Sequence, residues 1–128
     1  MIEYVVIIVG AGGTGGNFVK EYARYISCLS KDNVAVKTVL VDGDYVEQKN
    51  MERQPFIDED INQNKAVTLA SAIEDTFSGV QINAYPHYID NAEEIVRIFQ
   101  NVRSYSGSSV NVSIPVIIGC VDNHRARQ

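Results

Sequence analysis

A β-branched run that breaks off in a cluster of glycines constrains this chain more than any other feature. Tyr4 to Val9 is almost wholly apolar and leads directly into Gly10-Ala-Gly-Gly-Thr-Gly-Gly16. Such a run reads as a buried strand feeding a tight turn. Gly10, Gly12 and Gly15 satisfy GxGxxG in the strand–turn–helix setting that the motif needs. Gly10 permits the turn, Gly12 lets the backbone approach a phosphate, and Gly15 allows close packing of helix on strand. A helix starting near Gly13 then points its N–H groups, with roughly half a positive charge, at an anion. A glycine turn that binds nothing is the plain alternative. GxxxxGK[ST] does not occur, which excludes a P-loop NTPase.

The rest of the chain alternates strand and helix patterns. Phe18, Tyr22, Tyr25, Ile26 and Leu29 recur at helical spacing after the turn, and Val34 to Val41 is a second buried strand stopped by Asp42-Gly43-Asp44. Ala66, Leu69, Ala70, Ile73 and Phe77 trace a second helix, with a start expected near Asp58, where acidic residues suit a helix N-terminus. Val80 to Tyr85 reads as a third strand. Ala92, Ile95, Val96, Phe99 and Val102 mark a third helix capped by Asp90 or Asn91, and Pro115 to Val121 reads as a fourth strand. Alternation of this kind implies an α/β, Rossmann-like three-layer sandwich with a mainly parallel sheet, of strand order 3-2-1-4. The binding crevice then lies at the carboxyl ends of the first and fourth strands.

Composition narrows the function classes. A chain of 128 residues supports one small domain, and 45% hydrophobic with 21% charged residues is ordinary globular usage. A net charge of −5 gives no general pull toward nucleic acid or an anionic membrane. No run is long enough to span a bilayer. Cys28 and Cys120 show no CxxC spacing, which fits a reducing cytoplasm and offers no zinc or redox motif. His87 and His124 lack a third ligand at metal spacing and read as non-catalytic.

The glycine turn alone does not say which nucleotide binds. A ribose-binding acid lies about 20 residues beyond the turn in NAD enzymes. Asp42 ends the second strand somewhat farther on and could hold the ribose of NAD or of ATP equally well. The segment Val41-Asp-Gly-Asp-Tyr-Val-Glu-Gln-Lys-Asn-Met-Glu-Arg-Gln-Pro-Phe56 breaks the tie. A dehydrogenase has no use for Asn50, Arg53 and Gln54 gathered past its ribose acid. Phosphoryl or nucleotidyl transfer does, because preplaced donors against its spreading negative charge are each worth about 3–4 kcal/mol. Arg53 offers a planar fork for phosphate, Asn50 and Gln54 donate amides, and Lys65 adds a point charge.

The run D-x-D-x-V-E-x-x-N-x-x-R-Q-x-F resembles the signature of the ThiF/MoeB and ubiquitin-activating-enzyme superfamily. GAGGTGG upstream, D-I-x-x-x-K at Asp60 to Lys65, and Gly119-Cys-Val-Asp-Asn-His-Arg-Ala-Arg127 extend the resemblance over almost the whole chain. It implies that ATP binds across the glycine turn and that the C-terminal carboxylate of a ubiquitin-like or sulfur-carrier protein, or of a peptide, attacks the α-phosphate. By position it implies Gly10, Gly12, Gly13 and Gly15 around the nucleotide and Asp42 on the ribose. Asn50, Arg53 and Lys65 fall on phosphates, with Gln54 assisting. Arg53, Lys65 and Asp122 would be the catalytic residues, and Asp122 the ligand of Mg2+, whose charge offsets the leaving pyrophosphate. A homodimer is expected to cover the apolar edge of the fourth strand, and the cysteine usage fits a cytoplasmic location.

Blander readings stand beside these. Asp44 and Glu47 read first as turn and capping groups, with Asp44 kept among the nucleotide-binding candidates. Lys65 in isolation would be a solvated helix lysine, and Asp122-Asn123 could cap a helix. Tyr85-Pro-His-Tyr88 reads as a strand-to-loop exit rather than an aromatic binding box, and Cys120 as a core thiol. The resemblance is still running at Gln128, so residues 1–128 read as the ATP-binding half of the family domain, truncated after the fourth strand. That strand would then show an uncovered apolar edge. An NAD(P)- or FAD-binding domain and a non-catalytic scaffold of the same fold are the competing readings.

Overall fold

The computed structural model describes residues 1–10, 13–29, 34–47, 57, 62–77, 79–104 and 109–120. The elements follow as β1 (Ile2–Val9), α1 (Gly13–Ser27), β2 (Val34–Val41), α2 (Lys65–Thr76), β3 (Gln81–Tyr85), α3 (Ala92–Val102) and β4 (Val112–Gly119). The strands form one parallel sheet of order β3-β2-β1-β4, as the alternation of patterns implies. β1 pairs along its whole length with β2 on one side and β4 on the other.

Period-two alternation in the strands builds two cores, one on each face. Val6, Ile8, Leu40 and Ile82 turn to one face, where they meet Val19 and Ala23 of α1 and Ala66, Leu69, Ala70 and Ile73 of α2. Val5, Ile7, Val39 and Val41 turn to the other, under Ile98 of α3. Three layers result. The chain leaves β1 toward β2 by a helix on one face and reaches β4 by a helix on the other, so the topological switch point falls between β1 and β4.

Several sequence expectations are corrected by the packing. α1 buries Val19 and Ala23, while Phe18 and Tyr25 are exposed at 37% and 67%. Small and β-branched side chains let the helix lie close to the sheet, Phe18 and Tyr25 project outward, and Tyr22 alone of these three packs against the core. In α3 the buried residue is Ile98, and Val96 is exposed. α2 begins at Lys65, not near Asp58, because Asn64 is its cap and accepts the Val67 N–H at 3.0 Å. Asn62 and Gln63 just before it are engaged elsewhere. Val46 N–H donates to Gln63 O and Asn62 N–H to Val46 O, both at 2.8 Å, and Tyr45 bridges Asn64 antiparallel. Asn62 takes the turn there with φ 72°, a conformation asparagine tolerates. Asp58 itself lies outside the described residues.

β3 starts at Gln81 rather than Val80, and β4 starts at Val112, three residues before the expected Pro115. Val112, Ser113 and Ile114 pair with Ile2, Glu3 and Tyr4. Pro115 is accommodated because β4 is an edge strand among the described residues, where a missing N–H leaves no ladder bond unmade. Ile117 on this strand is 54% exposed. Asn91, one of the two expected caps, accepts the Glu94 N–H at 3.1 Å and starts α3.

Candidate functional site at the carboxyl edge of the sheet

The strand register places Val9, Val41, Tyr85 and Gly119 in one row. One residue further on, the backbone keeps the row together. Gly10 N–H donates to Val41 O at 2.8 Å, Asp42 N–H to Tyr85 O at 3.2 Å, and Cys120 N–H to Val9 O at 2.7 Å. Gly10, Asp42 and Cys120, the first residues beyond their strands, are thus held in fixed relation by the backbone alone. Gly10 has φ 108°, which side-chain-bearing residues rarely adopt, so the chain turns out of β1 here at a glycine. α1 then begins at Gly13 with Gly15 in its first turn and no acidic residue to occupy its positive end.

Beside this turn, β2 ends in a compact acidic loop. The Asp44 N–H donates to Asp42 Oδ1 at 2.8 Å, so Asp42 closes an Asx turn with its own carboxylate. Asn64 Nδ2 donates to Asp42 O at 2.9 Å, and the Lys65 N–H donates to Asp44 O at the same length. The cap of α2 therefore also fixes the loop that carries Asp42. Lys65, the first residue of that helix, is buried at 8% exposure, and its Nζ lies 3.9 Å from Asp44 Oδ2. A cation at a helix N-terminus opposes the helix dipole. Burying one there is costly unless an anion stands near, and Asp44 is that anion.

Tyr88, expected only as part of a strand-to-loop exit, completes the arrangement. After β3, His87 turns back edge-on to Tyr85, with ring centroids 5.1 Å apart. The Tyr88 hydroxyl donates to the Asp44 carboxylate. Its ring lies so close over Gly43 that a methyl group there would come within 2.5 Å of it. No periodicity or motif could have announced this contact, because it joins two loops that only the β2–β3 pairing brings side by side.

Gly10, Asp42, Asp44 and Lys65 are thus brought to one edge, with Gly13 and Gly15 opening the adjacent helix. Asp44 serves the turn and the lysine together. Gly12, Asn50, Arg53, Gln54 and Asp122 lie outside the described residues, as does His124. Among the described residues no three His, Cys, Asp or Glu side chains gather as a metal-binding group. No described helix is long and apolar enough to cross a membrane. A broad groove between α1 and α2, lined by Lys20, Arg24, Gln63, Val67, Thr68 and Asp75, runs along the helices rather than over the strand ends.

A family model, that of the ThiF family, matches residues 2–128. The chain belongs to the ThiF family. Ubiquitin-like modifier-activating enzyme 5 of Bombyx mori is 26% identical over 125 residues, covering 98% of this chain and 29% of that protein. The protein of the same name from Drosophila sechellia is 27% identical with the same coverage. This chain therefore spans less than a third of the length of these curated relatives. Among solved structures, E. coli tRNA N6-threonylcarbamoyladenosine dehydratase, TcdA, superposes with a TM-score of 0.69 at 18% identity, over 96% of this chain and 44% of that one. E. coli MccB with ATP superposes with a TM-score of 0.59 at 21% identity, over 73% of this chain and 25% of that one. At these identities both establish a shared ThiF fold, in agreement with the sheet order found here.

Proposed function

We propose that residues 1–128 form the ATP-binding part of an enzyme that adenylates a C-terminal carboxylate, on a ubiquitin-like or sulfur-carrier protein or on a peptide. The observation that carries this reading is the meeting of Asp42, Asp44 and the buried Lys65 beside the Gly10 turn. A ribose-accepting carboxylate, a held cation and an anion-attracting helix end then serve one nucleotide. The relatives support the direction, since MccB has been solved with ATP and the curated relatives are named as modifier-activating enzymes.

In this reading a carboxylate oxygen of the acceptor attacks the α-phosphorus. A new P–O bond forms, the bond from the α-phosphorus to the oxygen bridging to the β-phosphorus breaks, and pyrophosphate leaves with that electron pair. Asp42 accepts the ribose hydroxyls. Gly10, Gly12, Gly13 and Gly15 let the backbone approach the phosphates. Asn50, Arg53 and Lys65 donate to phosphate oxygens, with Gln54 beside them, and Asp44 holds Lys65 in place until the nucleotide arrives. Asp122 would hold Mg2+, which neutralises charge on the leaving pyrophosphate. A homodimer and a cytoplasmic location belong to the same proposal, and light scattering of the full-length protein tests the first.

Exchange of labelled pyrophosphate into ATP tests the chemistry, using the full-length protein with carrier proteins and peptides as acceptors. Exchange that depends on an acceptor and falls at least about 100-fold in Arg53→Ala and Asp122→Ala is expected. Absence of exchange with every acceptor, together with tight NAD+ binding, would overturn the proposal.

A further inference from the structure

We propose that Tyr88 is the platform on which the base of the nucleotide stacks, and so a residue that sets affinity for nucleosides over bare polyphosphate. The inference rests on the reading that a nucleotide is held at Asp42. Three observations carry it. The ring is seated on Gly43, the residue directly after the ribose acid, with no room there even for a methyl group. The hydroxyl is tied to Asp44, so the ring is held at both its body and its tip. The side chain is nonetheless 60% exposed, so the face turned away from Gly43 is open to solvent.

A large aromatic kept in place yet left in water gains little for the fold. The same ring is well arranged to receive a flat partner. Its orientation is fixed beforehand by Gly43 and Asp44, so stacking would cost little further ordering of the side chain. A base extending from a ribose at Asp42 leaves the phosphates at the glycine turn on one side and meets the β3 exit loop on the other. Tyr88 is the aromatic that this loop presents there, because His87 is turned back against Tyr85. Base–aromatic stacking is sequence-tolerant, since every base has a π-face. Tyr88 therefore favours a nucleoside without by itself choosing adenine.

Calorimetric titration of the full chain with ATP and with inorganic tripolyphosphate tests the inference. Tyr88→Ala should weaken ATP binding about 10-fold, on the scale of one lost stack, and leave tripolyphosphate binding unchanged. Tyr88→Phe keeps the ring and should stay within about threefold of wild type. Gly43→Ala puts a methyl group where the ring sits and should resemble Tyr88→Ala while retaining the phenol. Tyr88 is exposed, so Tyr88→Ala should leave thermal unfolding nearly unchanged. Two results would overturn the inference while leaving the nucleotide reading intact. One is ATP binding in Tyr88→Ala equal to wild type. The other is equal loss of ATP and tripolyphosphate, which would make Tyr88 only a support for Asp44 and Lys65. A wild-type chain that binds tripolyphosphate but gains nothing from the nucleoside would overturn both.

Discussion

Glu3 and Ser104, 101 positions apart in the chain, are joined by two hydrogen bonds, from Ser104 N–H to Oε1 at 2.8 Å and from Ser104 Oγ to Oε2 at 2.7 Å. Glu3 stands on the central strand at the end of the sheet opposite the candidate site, and is 1% exposed. Ser113 Oγ donates to Oε1 at 2.8 Å, and Lys37 Nζ lies 3.4 Å from Oε2. Lys37 also donates to Val102 O and Ser104 Oγ, each at 3.1 Å. One carboxylate thus ties together β1, β2, β4 and the end of α3. Such a carboxylate belongs to the fold, and its properties can be tested apart from function.

Burial alone would raise the Glu3 carboxyl pKa. Donors from Ser104 and Ser113 and the charge of Lys37 outweigh it and lower the value from 4.5 to about 2. The folded value lies below the unfolded one, so the stabilisation is complete above about pH 4.5 and disappears as pH falls toward 2. Its size is about 3 kcal/mol. Urea unfolding across that range should show the loss in wild type. Glu3→Gln should be less stable by about 2–3 kcal/mol at neutral pH and should flatten the acid dependence. An unchanged acid limb in Glu3→Gln would contradict this.

Asn64 has two separable jobs. Its side-chain oxygen caps α2, and its amide holds the Asp42 carbonyl. Asn64→Ala loses both and should cost about 1–2 kcal/mol by chemical denaturation. Asn64→Asp keeps a capping oxygen but no donor toward Asp42. It should retain most of the stability and bind ATP more weakly than wild type. Equal ATP affinity in Asn64→Asp and wild type would show that the loop needs no such tie.

The Tyr22 hydroxyl meets Thr38 Oγ1 at 2.7 Å, joining α1 to the core of β2. Thr38 is fully buried, so Tyr22→Phe leaves its hydroxyl short of a partner, at about 1–2 kcal/mol. Adding Thr38→Val should recover part of that loss, a non-additivity that a double-mutant cycle measures. Burial, only partly opposed by the Thr38 bond, raises the Tyr22 pKa above its ordinary value of 10.0. The phenol should therefore ionise later than an exposed tyrosine in an ultraviolet titration.

Much of the fold was legible in the sequence because strand and helix periodicities here are strong and local. Val34 to Val41 was bounded correctly from its apolar run and the Asp-Gly-Asp stop. The order 3-2-1-4 followed from alternation and handedness. What failed depended on rivalry between local signals. The acidic residues around Asp58 imitate a helix start, but Asn64 caps the helix because Gln63 and Asn62 are taken up by Val46. In α1 the apolar spacing included Phe18 and Tyr25, yet close helix–sheet packing selected the smaller Val19 and Ala23. At the site, Gly10, Asp42 and Lys65 could be named from motif positions alone. The burial of Lys65, the double use of Asp44 and the seat of Tyr88 on Gly43 arise from tertiary pairing and leave no pattern in the chain.

The claim that the Gly10 turn, Asp42 and Lys65 form an ATP site is tested most directly by calorimetric titration of the full chain with ATP and with NAD+, in the presence of Mg2+. ATP should bind, NAD+ should neither bind tightly nor displace it, and Asp42→Asn and Lys65→Met should each weaken ATP about 10- to 100-fold. Tight binding of NAD+ with indifference to ATP, or ATP affinity unchanged in both variants, would contradict it.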